Sequence, residues 1–367
     1  MFLQNIHLMN FKNYEILDLE FSKDINCVVG PNGIGKTNLL DAVHYLCMTK
    51  SAFPGTEQMT IKHEEQFFLN KGKVIEEDEE EYHIQCSYKK GDKKSFRLNK
   101  KEYGKLSKHI GKFPCVLMTP YDTDLVRGNS DNRRKFFDNT ISQTDEAYLE
   151  ALIQHNHYLK QRNNLLKQFA EKKFIDKALL ETYNSFMSPR VNEIYEKRLY
   201  FLEAFFPIFL DYYTQLGESK EAMVIQYESV LRDIEYDQLL ERNLQKDLAL
   251  QRTSEGIHRD DFLFTMGGFP LKKIGSQGQQ KSYVIALKLA QYTWISENKN
   301  KSAILLLDDI FDKLDDQRIS KLLAILANGK FGQIFITDAR PERSEKLLRE
   351  IGREVRFFDI ASMLSSA

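Results

Sequence analysis

Residues 30–37 read Gly30-Pro31-Asn32-Gly33-Ile34-Gly35-Lys36-Thr37. This run fits the phosphate-binding pattern G-x-x-x-x-G-K-[ST], in which glycines let backbone N–H groups curl around phosphate oxygens. An apolar run at 25–29 precedes the loop with the character of a strand, and residues 38–46 follow it with apolar positions at helical spacing. Strand, loop and helix occur in the order that the pattern requires, so the sequence predicts a site for a nucleoside triphosphate.

Each part of the loop has an expected contact. Lys36 is expected to place its charge on the β- and γ-phosphates, and Thr37 to offer its hydroxyl to Mg²⁺. The N-terminus of the helix that begins there favours an anion. The residues predicted to bind the nucleotide are therefore Gly30, Pro31, Asn32, Gly33, Ile34, Gly35, Lys36, Thr37 and Asn38.

The composition is typical of a soluble globular protein, with 42% hydrophobic and 29% charged residues. No run approaches the roughly 18 apolar residues of a membrane span, and the first residues do not resemble a signal peptide. The cysteines are scattered without a C-x-x-C pair, which favours reduced thiols over disulfides or zinc: Cys27, Cys47, Cys86 and Cys115. We therefore expect a cytoplasmic protein without a membrane partner.

A basic segment at 89–112 follows an acidic run at 76–81. The net charge of the chain is −1, so any nucleic-acid surface has to be a local patch. Two interpretations of the basic segment stay open: solvated hairpins, or a surface for the phosphate backbone of DNA, which needs several cations but no fixed spacing. The candidate DNA-binding residues are Lys89, Lys90, Lys93, Lys94, Lys100 and Lys101.

The remainder of the chain divides into a helical segment and an α/β segment. Apolar residues and two asparagines recur at three- and four-residue steps and predict a short coiled-coil-like seam: Leu149, Leu152, Asn156, Leu159, Asn163, Leu166 and Ala170. Later, the apolar run 303–307 ends in Asp308-Asp309, which predicts a buried parallel strand with carboxylates at its C-terminal end, where open α/β sheets bind ligands. The chain is predicted to have three parts. Residues 1–120 hold the phosphate loop and a β-lobe, residues 121–250 form a helical arm, and residues 251–367 form the C-terminal α/β part of the head.

The order of these parts resembles the ABC-type ATPases of chromosome maintenance, and within them the bacterial RecF family, which is related to Rad50 and SMC heads. The acidic strand follows the phosphate loop only after a helical insertion, and a small-residue turn at a helix start lies between them. Segments that carry the closer resemblance are 8–14, 30–38, 128–138, 160–163, 256–261, 276–279, 307–309 and 314–315. They span nearly the whole chain in the order of that family.

The resemblance implies an α/β fold, a P-loop ABC-type ATPase head with an N-terminal β-lobe, a RecA-like core and an inserted helical arm. It implies ATP and Mg²⁺ as cofactors, with Lys36, Asp308 and Asp309 in catalysis and Thr37 and Asp308 at the metal. Lys12 either contacts the nucleotide or is an ordinary surface lysine. Arg133 and Arg134 either brace the arm or contact phosphate.

The resemblance also implies that two copies dimerise around ATP. Ser276, Gly278 and Gln279 of one copy would reach the γ-phosphate held by the other, and Asp315 would join the two heads. The implied function is that of an ATP-gated DNA clamp, a weak DNA-stimulated ATPase with little base specificity. By the same resemblance it recognises gapped DNA and helps RecR and RecO to load RecA in recombinational repair, replication restart and the SOS response to DNA damage.

Two departures from the family pattern concern hydrolysis. Most ABC ATPases follow the strand Asp with a Glu that polarises water, whereas this chain has the shorter Asp309, so we expect slow turnover. The switch His that usually follows the next strand is absent, and the sequence there reads Ile336-Thr337-Asp338-Ala339. Three alternatives remain: a transporter-type ATPase subunit, an ATP-dependent nuclease of the overcoming-lysogenisation-defect class, and a protein in which ATP is only structural.

Overall fold

The computed structural model describes residues 1–172, 174–217, 222–328 and 331–365, which form two compact units. The first unit is built from Met1–Asp122 with the described residues of Asp211–Ser219 and Lys281–Ala367, and the second from Thr123–Leu210 with those of Lys220–Gln280. Residues 251–280, which we expected with the ATPase head, lie in the second unit. The predicted division at residues 120 and 250 stays a prediction.

Strands and helices alternate in the second half of the first unit, as expected for an α/β fold. The described strands are β1 (Phe2–Phe11), β2 (Tyr14–Glu20), β3 (Ile25–Val29), β4 (Phe67–Ile75), β5 (Glu81–Lys89), β6 (Ser95–Leu98), β7 (Lys101–Glu102), β8 (Cys115–Met118), β9 (Met223–Glu228), β10 (Asp261–Met266), β11 (Phe269–Pro270), β12 (Ile304–Leu307), β13 (Ile334–Asp338) and β14 (Val355–Asp359). The described helices are α1 (Lys36–Met48), α2 (Asp124–Arg127), α3 (Ser130–Thr144), α4 (Glu146–Lys172), α5 (Lys177–Gln215), α6 (Tyr236–Leu250), α7 (Leu271–Ile274), α8 (Gln277–Lys299), α9 (Asp316–Ala327), α10 (Pro341–Arg349) and α11 (Ile360–Ser365). Among them, none is both long enough and apolar enough to cross a membrane.

The N-terminal β-lobe of the first unit is a six-stranded antiparallel sheet with the order β2-β1-β4-β5-β6-β7. Buried and exposed residues alternate along β2 and β4, as expected when one face is packed and the other solvated. The packed face meets α1: the side-chain amide of Asn70 donates to the carbonyl of Ala42 at 2.9 Å, and the rings of Phe68 and Tyr45 lie 5.6 Å apart. The predicted β-lobe is thus confirmed, although only β1 and β2 precede the phosphate loop and β4 to β7 follow it.

The second sheet of the first unit is parallel, with the order β14-β3-β13-β12-β8. Every residue of β3, β12 and β13 is buried, as expected for the inner strands of a parallel sheet, and β12 is apolar throughout. Because parallel strands end at the same edge, the C-terminal ends of β3, β12 and β13 bring three loops together. This edge carries the phosphate loop and Asp308.

The second unit contains α3, α4, most of α5, α6 and a three-stranded sheet with the order β11-β10-β9. The predicted seam of α4 is wrong, because Asn156 and Ala170 are exposed. Pro189 and Pro207 both lie inside α5 and neither ends it. The buried residues of α4 are Tyr148, Ala151, His155, Arg162, Leu165, Leu166 and Phe169. Two of them, His155 and Arg162, are polar.

Buried arginine–carboxylate pairs hold the second unit together. Arg162 donates to Asp247 at 2.8 Å and to the hydroxyl of Thr253 at 2.6 Å. Arg198 lies 2.9 Å from Asp138 and also donates to the carbonyl of Ile257 at 3.0 Å. These charges are tolerated in the interior because each is both paired and hydrogen-bonded.

The two arginines of segment 128–138 take part in the same packing. Arg133 donates to both carboxylate oxygens of Asp261, at 2.7 and 2.8 Å. Arg134 donates to the carbonyl of Asp260 at 2.6 Å. Segments 128–138 and 256–261 therefore brace each other within the second unit, which favours the bracing role of Arg133 and Arg134.

We expect Arg198→Met to lower the free energy of unfolding by about 3–5 kcal/mol, because it leaves the carboxylates of Asp138 and Asp260 buried without their cation. Arg242→Met is the matched control, since Arg242 pairs with Glu255 at the surface, and its loss should cost less than about 1 kcal/mol. Urea denaturation followed by circular dichroism measures both. Equal losses for the two variants would contradict the structural role of the buried pair.

Candidate nucleotide-binding site

The phosphate loop is open on one side and tightly packed on the other. Gly33 and Gly35 have φ angles of 83° and 118°, which residues other than glycine rarely adopt. A Cβ atom at Gly33 would meet nothing within 4 Å, whereas one at Gly35 would lie 2.4 Å from the side-chain amide nitrogen of Asn13. Helix α1 begins directly after Gly35, and no side chain caps it there. Its first N–H groups thus remain suited to an anion.

The turn between β1 and β2 fixes the packed side of the loop. The amide of Asn13 donates to the carbonyl of Ile34 at 2.9 Å, and the amide of Asn38 donates to Asn13 at 2.7 Å. The hydroxyl of the buried Tyr14 donates to the carbonyl of Gly35 at 2.9 Å, and burial raises the pKa of Tyr14. Sequence reasoning missed this role of Asn13 and Tyr14; their place in the matched segment 8–14 was the available signal.

Lys36 places its amine inside the curve of the loop. Its Nζ lies 3.0 Å from the carbonyl oxygen of Gly30, 3.2 Å from that of Pro31 and 3.4 Å from the side-chain oxygen of Asn32. The side chain is buried. Its amine therefore lies against the oxygens of the loop, and its contact with phosphates stays a prediction.

Thr37 meets Asp308 although 271 residues separate them along the chain. The hydroxyl of Thr37 lies 2.9 and 3.0 Å from the two carboxylate oxygens of Asp308. Burial raises the pKa of Asp308, and hydrogen bonds from the hydroxyls of Thr337 and Thr37 oppose that rise. The structure thus brings together the phosphate loop and the carboxylate that the sequence pattern assigns to the same site.

Thr337, at the end of β13, links the two neighbouring aspartates. Its hydroxyl donates to Asp308 at 2.9 Å and accepts the backbone N–H of Asp309 at 2.8 Å. Asp309 has a left-handed backbone with φ of 43°, a conformation in which Asp is enriched. The sequence revealed that no His follows β13, but it did not reveal that Thr337 contacts both carboxylate-bearing residues.

Lys12 is engaged by a buried carboxylate. Its Nζ lies 2.6 Å from Asp41 and 5.0 Å from the centroid of the Phe53 ring. Asp41 also accepts from the hydroxyl of Ser51 and the backbone N–H of Ala52, both at 2.7 Å. Lys12 is therefore more than an ordinary surface lysine, and its contact with a nucleotide stays a prediction.

Ser276, Gly278 and Gln279 lie at the start of α8, in the second unit. The backbone N–H of Ser276 donates to the side chain of Gln279 at 2.8 Å, and the N–H of Gln279 donates to the Ser276 hydroxyl at 3.1 Å. This reciprocal pair is a capping box. Because the Ser276 hydroxyl only accepts in this arrangement, its own proton remains available to a ligand.

Asp315 caps α9 in the first unit. Its carboxylate accepts the backbone N–H of Arg318 at 3.0 Å and also the guanidinium of the same residue. These hydrogen bonds, the backbone one foremost, hold the pKa of Asp315 below its ordinary value. The predicted contact of Asp315 with a second head stays a prediction.

The six candidate lysines divide into three groups. Lys89, Lys90 and Lys93 lie at the turn between β5 and β6, whereas Lys100 and Lys101 lie at the turn between β6 and β7. These turns are at opposite ends of β6, a strand of 4 residues, and hence about 13 Å apart.

Lys94 differs from the other five. Its Nζ pairs with Glu57, donates to the carbonyl of Thr49 at 2.7 Å and lies 5.2 Å from the Tyr45 ring centroid. Only 14% of its side chain is exposed. The structure thus commits Lys94 to internal contacts, and we leave it out of the proposed DNA surface.

Known proteins resemble this chain over nearly all of its length. A family model described as RecF/RecN/SMC N terminal domain matches residues 2–355. The DNA replication and repair protein RecF of Cytophaga hutchinsonii is 46% identical over 98% of this chain and 95% of its own, and that of Flavobacterium johnsoniae is 44% identical over 98% and 100%.

Solved structures agree with these relatives. The recombination mediator protein RecF-ATP in the RecFOR pathway superposes with a TM-score of 0.85 at 30% identity, covering 92% of both chains. An Smc head domain from Pyrococcus furiosus matches with a TM-score of 0.55 at 16% identity over 98% of this chain and 94% of its own, which concerns the fold alone. The predicted fold class, a P-loop ABC-type ATPase head, is confirmed.

We expect Asp308→Asn to stabilise the ligand-free protein at pH 8. In the folded chain the pKa of Asp308 is raised, so the stability that this carboxyl contributes is fully present below the ordinary aspartate value near 3.9 and is lost as pH rises through the raised pKa. The asparagine of the variant carries no charge at any of these pH values, so its burial does not depend on pH. The urea midpoint of the variant should exceed that of the wild type at pH 8, and the difference should shrink toward pH 4.

Asp92→Asn serves as the control, because Asp92 is exposed in a hairpin turn and its substitution should leave the midpoint nearly unchanged. A lower midpoint for Asp308→Asn than for the wild type at pH 8 would show that the hydrogen bonds of this carboxylate outweigh its burial.

Proposed function

Because the chain belongs to the RecF family of DNA replication and repair proteins, as its sequence predicts, we propose that it is an ATP-gated DNA-binding protein. The observation that carries the proposal is the meeting of Thr37 with Asp308 beside the phosphate loop. Nucleotide hydrolysis uses two such parts: a loop that holds a lysine near the phosphates, and a carboxylate beside a hydroxyl at the metal. In finer detail, two heads close around ATP on DNA, and slow hydrolysis separates them.

The residues of the loop fit a triphosphate. Residues 30–38 supply backbone N–H groups, the start of α1 and the Lys36 amine, and the open space at Gly33 lets phosphate oxygens approach the backbone. The solved structures described as RecF-ATP and RecF-ATPrS share the fold of this chain at 29–30% identity. We retain Lys12 in the nucleotide-binding set, with Asp41 as the carboxylate that holds it in place.

The donor set beside the loop fits Mg²⁺. Thr37 and Asp308 offer a hydroxyl and a carboxylate within 3.0 Å of each other, and oxygen ligands of this kind are those that Mg²⁺ takes. When bound, Mg²⁺ neutralises charge on the β- and γ-phosphates. Thr337 holds Asp308 in position, and Asp309 orients the attacking water, with the shorter reach that we expect to make hydrolysis slow.

A second copy completes the pocket in this proposal. Ser276, Gly278 and Gln279 contribute a helix start and a hydroxyl proton toward the γ-phosphate held by the other copy, while Asp315 lies at the contact between heads. Hydrolysis is weak and stimulated by DNA. The proposed biological role is to mark gapped DNA and to help RecR and RecO load RecA.

DNA would contact the lysines at the two turns that flank β6. Lys89, Lys90 and Lys93 form one group and Lys100 and Lys101 the other. Lysines that contact phosphates bind with little base preference and with strong salt dependence. The interaction therefore depends on the shape and charge of the DNA rather than on its sequence.

The mass in solution tests the proposal. We expect the wild type to double its mass only with ATP plus Mg²⁺ and to bind DNA more tightly then. Lys36→Arg should stay at the single mass with DNA affinity unchanged by ATP, because the larger planar group no longer fits inside the loop. Light scattering and fluorescence anisotropy on labelled DNA measure both.

Lys23→Arg, at an exposed position, is the control and should behave as the wild type. Equal DNA affinity of the wild type with and without ATP would reject gating. Loss of the folded structure in Lys36→Arg, seen by circular dichroism, would instead favour ATP as a structural component.

We expect the triple variant Lys89→Ala, Lys90→Ala, Lys93→Ala to bind all DNA sequences more weakly. The negative slope of the logarithm of the binding constant against the logarithm of salt concentration should decrease in magnitude by about 0.9 for each phosphate contact removed. Lys94→Ala is the matched control: it should keep the slope and lose stability, because Glu57 loses the cation that pairs with it. An unchanged slope in the triple variant would exclude this turn from the DNA surface.

A further inference from the structure

Two side chains outside the Ser276 turn hold the residue that precedes it. The side-chain amide of Gln280 donates to the carbonyl of Gly275 at 2.9 Å. Its carbonyl in turn accepts Nε of Arg127, at the end of α2, at 2.8 Å. Gln280 is only 6% exposed, so its amide lies largely out of water, where hydrogen bonds are strong. All three residues belong to the second unit.

The backbone of Gly275 is also held at its N–H. Its N–H donates to the carbonyl of Leu271 at 2.9 Å, and a Cβ atom there would lie 2.8 Å from that same oxygen. Close packing therefore requires glycine immediately before Ser276. Glycine is also the residue with the most backbone freedom to lose. The relay from Arg127 through Gln280 supplies a restraint on the orientation of this peptide.

The capping box restrains Ser276 from within the turn, whereas the relay restrains it from outside. Together they hold both polar groups of the peptide bond between Gly275 and Ser276: Gln279 accepts from its N–H, and Gln280 donates to its carbonyl. The direction of the Ser276 hydroxyl then follows from the direction of the backbone. Small displacements at such a position are costly, since an error near 1 Å can cost roughly 10²-fold in rate.

We propose that Gln280 and Arg127 are positioning residues that set where Ser276 presents its hydroxyl to the γ-phosphate held by a second copy. The inference rests on the proposed function, because it assigns Ser276 to the nucleotide of the partner. Neither residue touches the nucleotide: Arg127 orients Gln280, and Gln280 orients the peptide before Ser276. The residue type matters at each step, since the amide of Gln280 must both accept and donate.

The test compares dimerisation with nucleotide binding. Gln280→Leu removes both hydrogen bonds and should raise the ATP concentration for half-maximal dimerisation by about 10- to 100-fold. ATP affinity of the single chain, measured with a fluorescent ATP analogue at low protein concentration, should remain that of the wild type. Gln280→Glu should show the same defect, because it keeps an acceptor for Arg127 but turns a carboxylate oxygen toward the carbonyl of Gly275.

Arg127→Leu should also raise the ATP concentration for half-maximal dimerisation, but by less, because the hydrogen bond from Gln280 to Gly275 remains. Because Arg127 is exposed, this variant carries the test if changes at Gln280 prevent folding. Lys272→Leu, at an exposed position on the neighbouring α7, removes the same charge and should leave dimerisation unchanged.

Mixing two variants separates positioning from general damage. Gln280→Leu retains an intact phosphate loop, and Lys36→Arg retains an intact Ser276 turn. A mixed dimer therefore contains one complete pocket, and ATP-dependent dimerisation and hydrolysis should return on mixing at an ATP concentration at which neither variant alone dimerises. A variant whose second unit is merely unstable would not be rescued in this way.

The outcomes distinguish the inference from the function on which it rests. If the wild type does not dimerise with ATP, both the proposed function and the inference are wrong. If the wild type dimerises and Gln280→Leu and Arg127→Leu match it, or if mixing restores nothing, the inference alone is wrong.

Discussion

The contact between the hydroxyl of Thr37 and the carboxylate of Asp308 constrains the whole first unit. It requires β3 and β12 to end at one edge of a parallel sheet, with β13 between them. A carboxylate buried at that edge is tolerated only with hydrogen-bond donors in reach, and Thr37 and Thr337 supply them from the ends of two other elements. The order of the strands is thus tied to the chemistry of the site by the need to satisfy one buried charge.

The second unit follows the same rule in its interior. Its interior holds Arg162 against Asp247 and Arg198 against Asp138, each pair with further hydrogen bonds from neighbouring elements. Removing one partner of such a pair costs more than the pair contributes, because the remaining charge stays buried. Arg133 and Arg134 of segment 128–138 follow this rule too, because they bind Asp261 and the carbonyl of Asp260 in segment 256–261.

The sequence predicts those features that depend on neighbours along the chain. The phosphate loop, the β-lobe and the acidic strand all follow from local patterns, and the structure confirms them. The seam of α4 was wrong because periodicity follows apolar residues, whereas the buried face includes His155 and Arg162, whose burial depends on distant partners. The same reason explains two other residues. Thr337 was missed and Lys94 was assigned to DNA because their partners, Asp308 and Glu57, are far away in the sequence.

The edge of the parallel sheet combines groups that each weaken the ligand-free protein. Asp308 is a buried carboxylate with a raised pKa, and Asp309 has a left-handed backbone. Strained and electrostatically costly groups of this kind cluster at functional sites, where the surrounding fold compensates for them. Here the compensation comes from β3, β12 and β13, whose residues are all buried. The apolar sheet therefore stabilises an edge at which hydroxyls and carboxylates gather at a cost to the stability of the ligand-free chain.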